Sequence, residues 1–367
     1  MYSNRVLPAD GCYNSPYMAE HSFLKRNWKL LINIVTLVAL GLLFYLIRDQ
    51  IVETFANLQT VNLWVLSLLL PLLALNYHSQ TRMYQGLFGM LGNKLKYRFT
   101  LRAALELNFV NRVFPSGGVS GISYFGMRMR NGEISGGRAT MVHLMRLMLV
   151  FISFEILLIA GLWLLAAGGH VNNLVILVGS SISTLLVVGT IAFVYIMSSE
   201  QRTQATFRAI TMALNWIISI FPRANKETID LKRAEGVVND MHKSFKLLFA
   251  HRRQLRKPFG WALTINVAEI LSIYAVYVAF GSWVNLGAII LAYAVANFAG
   301  LISVLPGGVG VYEVLMTGVL TAAGIPLALS LPATVMFRVL STSAQVIPGY
   351  YFYHKTVHNA GKPAVPS

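Results

Sequence analysis

Six apolar segments, at residues 30–47, 61–80, 139–167, 174–197, 259–280 and 327–352, constrain this chain more than any other feature. A helix needs about 20 mostly apolar residues to cross roughly 30 Å of hydrocarbon, and these segments match that scale. Composition agrees. Hydrophobic residues make up 56% of the chain and charged residues 12%, with a mean hydropathy of +0.59, whereas about 25% of the residues of a soluble domain are charged. That leaves too little polar side chain to coat a water-soluble surface. The expected fold is an all-α polytopic membrane protein, because helices satisfy their own backbone groups in lipid. The single cysteine, Cys12, rules out a disulfide framework and a cysteine-rich metal site.

Two further apolar segments are interrupted. Residues 103–127 are broken at Pro115-Ser116-Gly117-Gly118, and residues 286–323 at Pro306-Gly307-Gly308. Proline removes a backbone donor and glycine costs about 1 kcal/mol of helix propensity, so each break predicts an elbow between two helical arms. Suppose each broken segment is a hairpin that returns to the side it left. Residues 1–29, 81–102, 128–138, 198–258 and 353–367 then share one side and carry 26 of the 30 Lys and Arg, while Arg48 is on the other. The positive-inside rule makes the rich side, with both termini, cytoplasmic. A single crossing by the first broken segment would instead put Arg128, Arg130 and Arg138 outside.

The resulting organisation is a tail at 1–29, a membrane domain at 30–352 and a tail at 353–367. The membrane domain divides into a repeat at 61–167, a basic loop at 198–258 and a second repeat at 259–352. The formal charge of +16 is spread over loops that face anionic headgroups, so nucleic acid is not an expected partner. Residues 207–221 read as an amphipathic interfacial helix, and residues 1–22 and 359–367 as flexible tails. With no targeting peptide in view, the expected location is a cell (plasma or inner) membrane.

The broken segments resemble each other. Asn108-Phe109 starts seven residues before Pro115, and Asn297-Phe298 starts nine before Pro306; about thirty residues past each elbow come Arg146 and Arg338. Each unit reads span, broken hairpin, span. The charge flanks open the first hairpin to the cytoplasm and the second to the outside, which is the pattern of inverted-repeat transporters.

The run Leu305-Pro306-Gly307-Gly308-Val309-Gly310-Val311-Tyr312-Glu313, followed by Arg338, resembles the transmembrane-region family of lysylphosphatidylglycerol synthases, the flippase-like domain family. The resemblance covers roughly residues 30–353. It implies an eight-element helical membrane domain, six full spans plus two broken or re-entrant hairpins, associated with moving lipids or lipid-linked groups between leaflets. Family members often carry Pro-Gly-x-x-Gly-Glu in the first hairpin, closely followed by arginine. This chain has Pro115-Ser116-Gly117-Gly118-Val119-Ser120-Gly121 there, with no acid. The soluble aminoacyl-transfer domain of the full synthases is not expected, since only residues 353–367 follow the last apolar segment.

Seven ionisable residues lie inside apolar segments: Glu106, Arg112, Arg146, Glu155, Glu269, Glu313 and Arg338. Each costs about 2.5–3.5 kcal/mol at a helix centre, and such residues persist when they pair or line a water-filled cavity. Arg112, Arg146 and Arg338 are the expected lipid-phosphate ligands. Gly117, Gly118, Gly307 and Gly308 are expected to expose backbone N–H groups at helix N-termini, where anions bind; tight turning is their alternative role. Glu313 and Glu269 are expected to carry a coupling proton or to pair with the arginines. Asn108, Asn297, Thr342 and Gln345 extend a polar groove, with Arg338, Ser341, Thr342 and Gln345 on one helix face. Glu106 and Glu155 fit a structural pair as readily as a function, and His143 reads as structural.

No catalytic or metal-binding residue is expected, and no cofactor. The chain has no Asp-x-Asp pair, no His-Glu-x-x-His run and no phosphate-binding glycine loop ending in Lys-Ser or Lys-Thr. Its aspartates, Asp10, Asp49, Asp230 and Asp240, all fall in tails or loops. The expected function is therefore a lipid transporter, not an enzyme, moving a phospholipid or polyprenyl-phosphate-linked headgroup between leaflets. The alternatives are a membrane enzyme, or an accessory scaffold for a glycosyl or aminoacyl transferase. The expected partner is an anionic lipid, with a transferase as a further one; the sequence fixes no oligomeric state.

Overall fold

The computed structural model describes the backbone of residues 16–114, 119–130, 132–169, 172–219, 231–302 and 305–359. Among these the regular structure is helical throughout, without strands. The first half contains α1 (Pro16–Asn57), α2 (Leu63–Leu66), α3 (Leu69–Met90), α4 (Tyr97–Val113), α5 (Val119–Arg130), α6 (Gly136–Ala167) and α7 (Asn173–Met197). A connecting pair follows, α8 (Glu200–Ser219) and α9 (Leu231–Ala250). The second half contains α10 (Arg256–Ala279), α11 (Leu286–Ile302), α12 (Val311–Ala322) and α13 (Leu327–Asn359). Five stretches are long and apolar enough to cross a membrane: Ile34–Asn57, Gly136–Ala167, Asn173–Met197, Arg252–Ala279 and Leu327–His358. The chain is an all-α polytopic membrane protein.

The segment expected as a sixth span, 61–80, is shifted. The Asn62 side chain accepts from the Trp64 and Val65 N–H groups at 3.0 and 3.3 Å, which starts the short turn α2. Pro71 sits in the first turn of α3, where its missing donor costs nothing, and the helix runs on to Met90. Asn76, Ser79, Gln80 and Thr81 are buried within it, with protein rather than lipid around them. Two tail boundaries also move. Residues 16–29 and 353–359 are helical, extending α1 and α13. The last turns of α13 are held by burial of Tyr353 and Val357 and by a 2.8 Å bond from Thr356 to Glu106. The rest of the expected tails, 1–15 and 360–367, lies outside the described residues.

The 198–258 loop is a packed layer. Met241, Phe245 and Leu248 of α9 are buried in a cluster with Met141 and Met145 of α6. Ser135 donates to Asp240, and His242 Nδ1 donates to the Met197 carbonyl at 3.0 Å. α8 covers most of the expected interfacial helix, with Thr211 buried and Ile210 and Met212 exposed; residues 220–221 lie outside the described residues.

The two broken segments have the same dimensions. Their arms have 17 and 12 residues in α4 and α5, and again 17 and 12 in α11 and α12. At 1.5 Å per residue these arms reach about 26 and 18 Å, too short to cross alone. The first hairpin turns back on itself: Glu106 of α4 meets Arg128 of α5, and Asn111 meets Gly121. The helices after the hairpins also match, 32 residues in α6 and 33 in α13.

The halves interlock. α3 packs along α10, α4 along α13, and α11 along α6, so each half lays its first hairpin arm on the other half's long helix. α3 and α10 run antiparallel, since Asn62 bonds the Ala279 carbonyl, Asn76 meets Glu269 and Gly86 abuts Pro258. Equivalent helices that run in opposite directions are the geometric signature of an inverted repeat.

The α4–α13 crossing depends on Gly349, where an added Cβ would lie 2.5 Å from Phe109 Cβ and 2.7 Å from the Leu105 carbonyl oxygen. Gly349→Val is expected to cost about 1–3 kcal/mol through overpacking. Gly318→Ala, with nothing within 4 Å, is expected to be neutral or to stabilise by up to about 1 kcal/mol. Thermal unfolding in detergent compares the two.

Candidate functional site

Three arginines from three helices converge on one cavity of about 350 Å³: Arg112 from the last turn of α4, Arg146 from α6 and Arg338 from α13. Asn108, Asn111, Asn266, Glu269, Asn297 and Gln345 line the same space, with Gly307 at the elbow. Phe151, Phe154, Phe298 and Phe337 form the apolar wall. Residues from both halves thus close one site.

The elbow before α12 explains how Arg338 is held. Gly307, Gly308 and Gly310 have φ of 60, 67 and 84°, left-handed values that favour glycine. Arg338 Nε donates to Glu313 Oε1 at 3.1 Å and Nη2 to the Gly307 carbonyl at 2.6 Å. The guanidinium lies 4.3 Å over the Tyr312 ring. The other oxygen of Glu313 accepts the Gly310 N–H at 2.6 Å, capping α12 with its own carboxylate. The Gly308 N–H is taken by the Leu305 carbonyl at 2.9 Å, so its bond serves the turn, while Gly307 faces the cavity. The expected counterparts Gly117 and Gly118 lie outside the described residues.

Arg146 and Arg112 have only neutral hydrogen-bond partners among the described residues. Arg146 Nη2 donates to Gln80 Oε1 at 3.2 Å, and its guanidinium lies 5.4 Å over the Tyr84 ring. Arg112 Nε donates to Gln345 Oε1 at 3.1 Å. The Gln80 oxygen also accepts from Asn108 at 3.3 Å, while its amide donates to Asn76 at 2.6 Å. Asn76 in turn donates to Glu269 Oε2 at 3.0 Å. A chain of amides therefore links Arg146 of one half to Glu269 of the other. The sequence reading missed Asn76 and Gln80. Their signal was two amides four residues apart, on one face of an otherwise apolar segment.

By formal charge, three guanidiniums against the carboxylates of Glu269 and Glu313 leave one positive charge in excess at the cavity. Arg146 Nε, Asn111 Oδ1 and Tyr312 Oη are buried without a partner. Unsatisfied polar atoms in low dielectric are costly, and the three residues that carry them line the cavity.

The remaining expected residues fall around this centre. Asn297 donates to the Tyr293 carbonyl at 2.9 Å. Thr342 sits behind the clamp, in a smaller recess with Gln50. Glu106 is closed off by Arg128 at 2.7 Å and by Tyr124 and Thr356, each at 2.8 Å. Glu155 accepts from Ser183 of α7, and His143 pairs with the Tyr84 hydroxyl at 2.8 Å.

Removing one partner of a buried ion pair strands the other charge, at about 3–5 kcal/mol. Glu313→Ala is therefore expected to lower stability by that order. Arg338→Met combined with Glu313→Leu is expected to lose less than the two single losses together. Denaturation midpoints of Glu313→Ala, Arg338→Met, Glu313→Leu and the double variant in detergent check this.

Comparison with known proteins gives the same assignment. Residues 31–349 match the family model described as the lysylphosphatidylglycerol synthase TM region. A UPF0104 membrane protein of Methanothermobacter thermautotrophicus is 26% identical over 129 residues, covering 34% of this chain and 38% of the relative. A UPF0104 membrane protein of Pyrococcus horikoshii is 22% identical over 174 residues, covering 47% and 51% respectively. The chain thus spans about half or less of the length of these curated relatives. With the family model covering most of its length, the chain belongs to the lysylphosphatidylglycerol synthase transmembrane-region family.

Proposed function

We propose that this protein is a lipid transporter that carries an anionic headgroup, a phosphodiester or polyprenyl-linked phosphate, between the leaflets of a cell membrane. The observation that carries the reading is the cavity where the two opposed halves meet, with one positive charge in formal excess and with Arg146 and Arg112 on its wall held by neutral amides. A singly charged phosphodiester balances that excess. Arg146 and Arg112 bind it, because their present partners are neutral amides that give way without leaving a buried carboxylate unpaired. Arg338 contributes the donors that its clamp leaves free. The bias of Lys and Arg supports a cytoplasmic position for both termini.

Transport in this reading is rocking of one half against the other around the site. The α3–α10 crossing is the axis, and its amide chain keeps Arg146 and Glu269 in register. The chain acts as a carrier, not as an enzyme, and transferases that make or use the lipid are its expected partners.

The test is translocation of a fluorescent anionic phospholipid in proteoliposomes. Arg146→Gln and Arg112→Gln should each slow it by roughly 10- to 100-fold, the loss of one charge-assisted hydrogen bond of about 1.5–3 kcal/mol. Their folding should be near normal. Wild-type rates in both variants would sink the reading. Chemical turnover of the lipid by purified protein in detergent would replace it with an enzyme.

A further inference from the structure

A second, apolar space of about 330 Å³ lies between α6 and α7. Leu144, Leu147 and Met148 form its α6 side, and Leu185, Leu186 and Phe193 its α7 side; Thr190 is the one polar group on its wall among the described residues. Its inner wall is Phe151 and Phe298, the same two rings that close the apolar side of the arginine cavity. The rings stack with centroids 5.9 Å apart at 28°. A single aromatic pair therefore separates a cationic chamber from an apolar groove.

Contact between α6 and α7 differs along their length. Near the start of α7, a Cβ on Gly179 would lie 2.6 Å from Leu162, so α6 and α7 are in close contact there; at Gly189 a Cβ would meet nothing within 4 Å. Arg146 and Phe151 are five residues apart on α6, about 7.5 Å of helix rise. That matches the geometry of a lipid, whose phosphate and chains are joined by a few bonds. A phosphate at Arg146 therefore brings its hydrocarbon to the aromatic pair.

Resting on the headgroup reading above, we infer that the α6–α7 groove holds the hydrocarbon chain of the lipid whose phosphate occupies the cavity, and that Phe151 and Phe298 form the gate between the two. Continuity through the shared rings selects this occupant, since a chain in the groove reaches the chamber without leaving apolar surface.

The experiment fills the groove without touching the cavity. Gly189→Leu has open space for its side chain and a helical backbone that any residue adopts. In proteoliposomes with fluorescent phosphatidylglycerols, this variant should slow translocation of a long-chain probe by roughly tenfold and of a short-chain probe far less. Phe151→Ala should weaken the discrimination between the two probes. Arg146→Gln, run in parallel, should slow both probes alike. If Arg146→Gln is impaired while Gly189→Leu moves both probes at wild-type rates, or slows both equally, the groove assignment falls and the headgroup site stands. If Arg146→Gln and Arg112→Gln are as active as wild type, the headgroup reading itself falls.

Discussion

A guanidinium in the low-dielectric middle of a membrane domain is costly unless it pairs with an acid or faces a polar cavity, and the Arg338–Glu313 pair is where this chain takes the first course. The pair also ties distant elements together. Arg338 belongs to α13, Glu313 to the first turn of α12, and Gly307 to the elbow between α11 and α12, so one side chain fixes three segments. The three left-handed glycines are what bring the Gly307 carbonyl and the α12 N-terminus to the same guanidinium. Because Glu313 caps α12, the positive end of that helix is already neutralised from within. Attraction for an external anion then falls mainly on Arg146 and Arg112, whose partners are uncharged.

Packing between the halves follows the rules of a lipid solvent. Apolar surface gains nothing by leaving lipid for protein, so helices associate through close backbone approach and polar contacts. Two of the three inter-half crossings use small residues. Gly349 admits α4 to α13, and Gly161 and Gly287 admit α11 to α6, where a Cβ on Gly287 would lie 2.2 Å from the Gly161 carbonyl oxygen. The third crossing, α3 on α10, uses polar bonds instead, through Asn76, Gln80 and Glu269. Rigid small-residue contacts and exchangeable amide contacts therefore occupy different places in the same fold.

Much of this was legible in the sequence, because elbows and long apolar runs leave strong local signals. Pro306-Gly307-Gly308 and the charge flanks sufficed to read a broken hairpin, and the equivalent spacing of Arg146 and Arg338 placed both at one centre. What escaped was anything set by a distant partner. Residues 61–80 read only as an apolar span, because hydropathy cannot see that α10 and α4 supply partners to Asn76 and Gln80. Arg128 was counted with the loop charges, although it turns back to Glu106 with only 11% of its side chain exposed. Even the cap of α12 was local, with Glu313 three residues after Gly310. Read as a free anion cradle, that N-terminus proves to be filled by the chain's own carboxylate.

The charge balance of the cavity bears on how a carrier binds and releases its ligand. Three guanidiniums and two carboxylates leave one net positive charge, and a net charge inside a membrane domain is costly. A bound phosphodiester brings the sum to zero. On the proposed reading, binding therefore relieves a charge that the empty site leaves unbalanced, while the site itself stays in place as the halves rock. Glu269 sets this balance, since neutralising it would leave the empty site with two charges in excess and the loaded site with one. The same carboxylate opposes over-tight binding by drawing on the arginines through the Asn76–Gln80 chain. On that reading buried acid and excess base act together: the empty site holds one charge too many, and the acid is an internal competitor for the arginines.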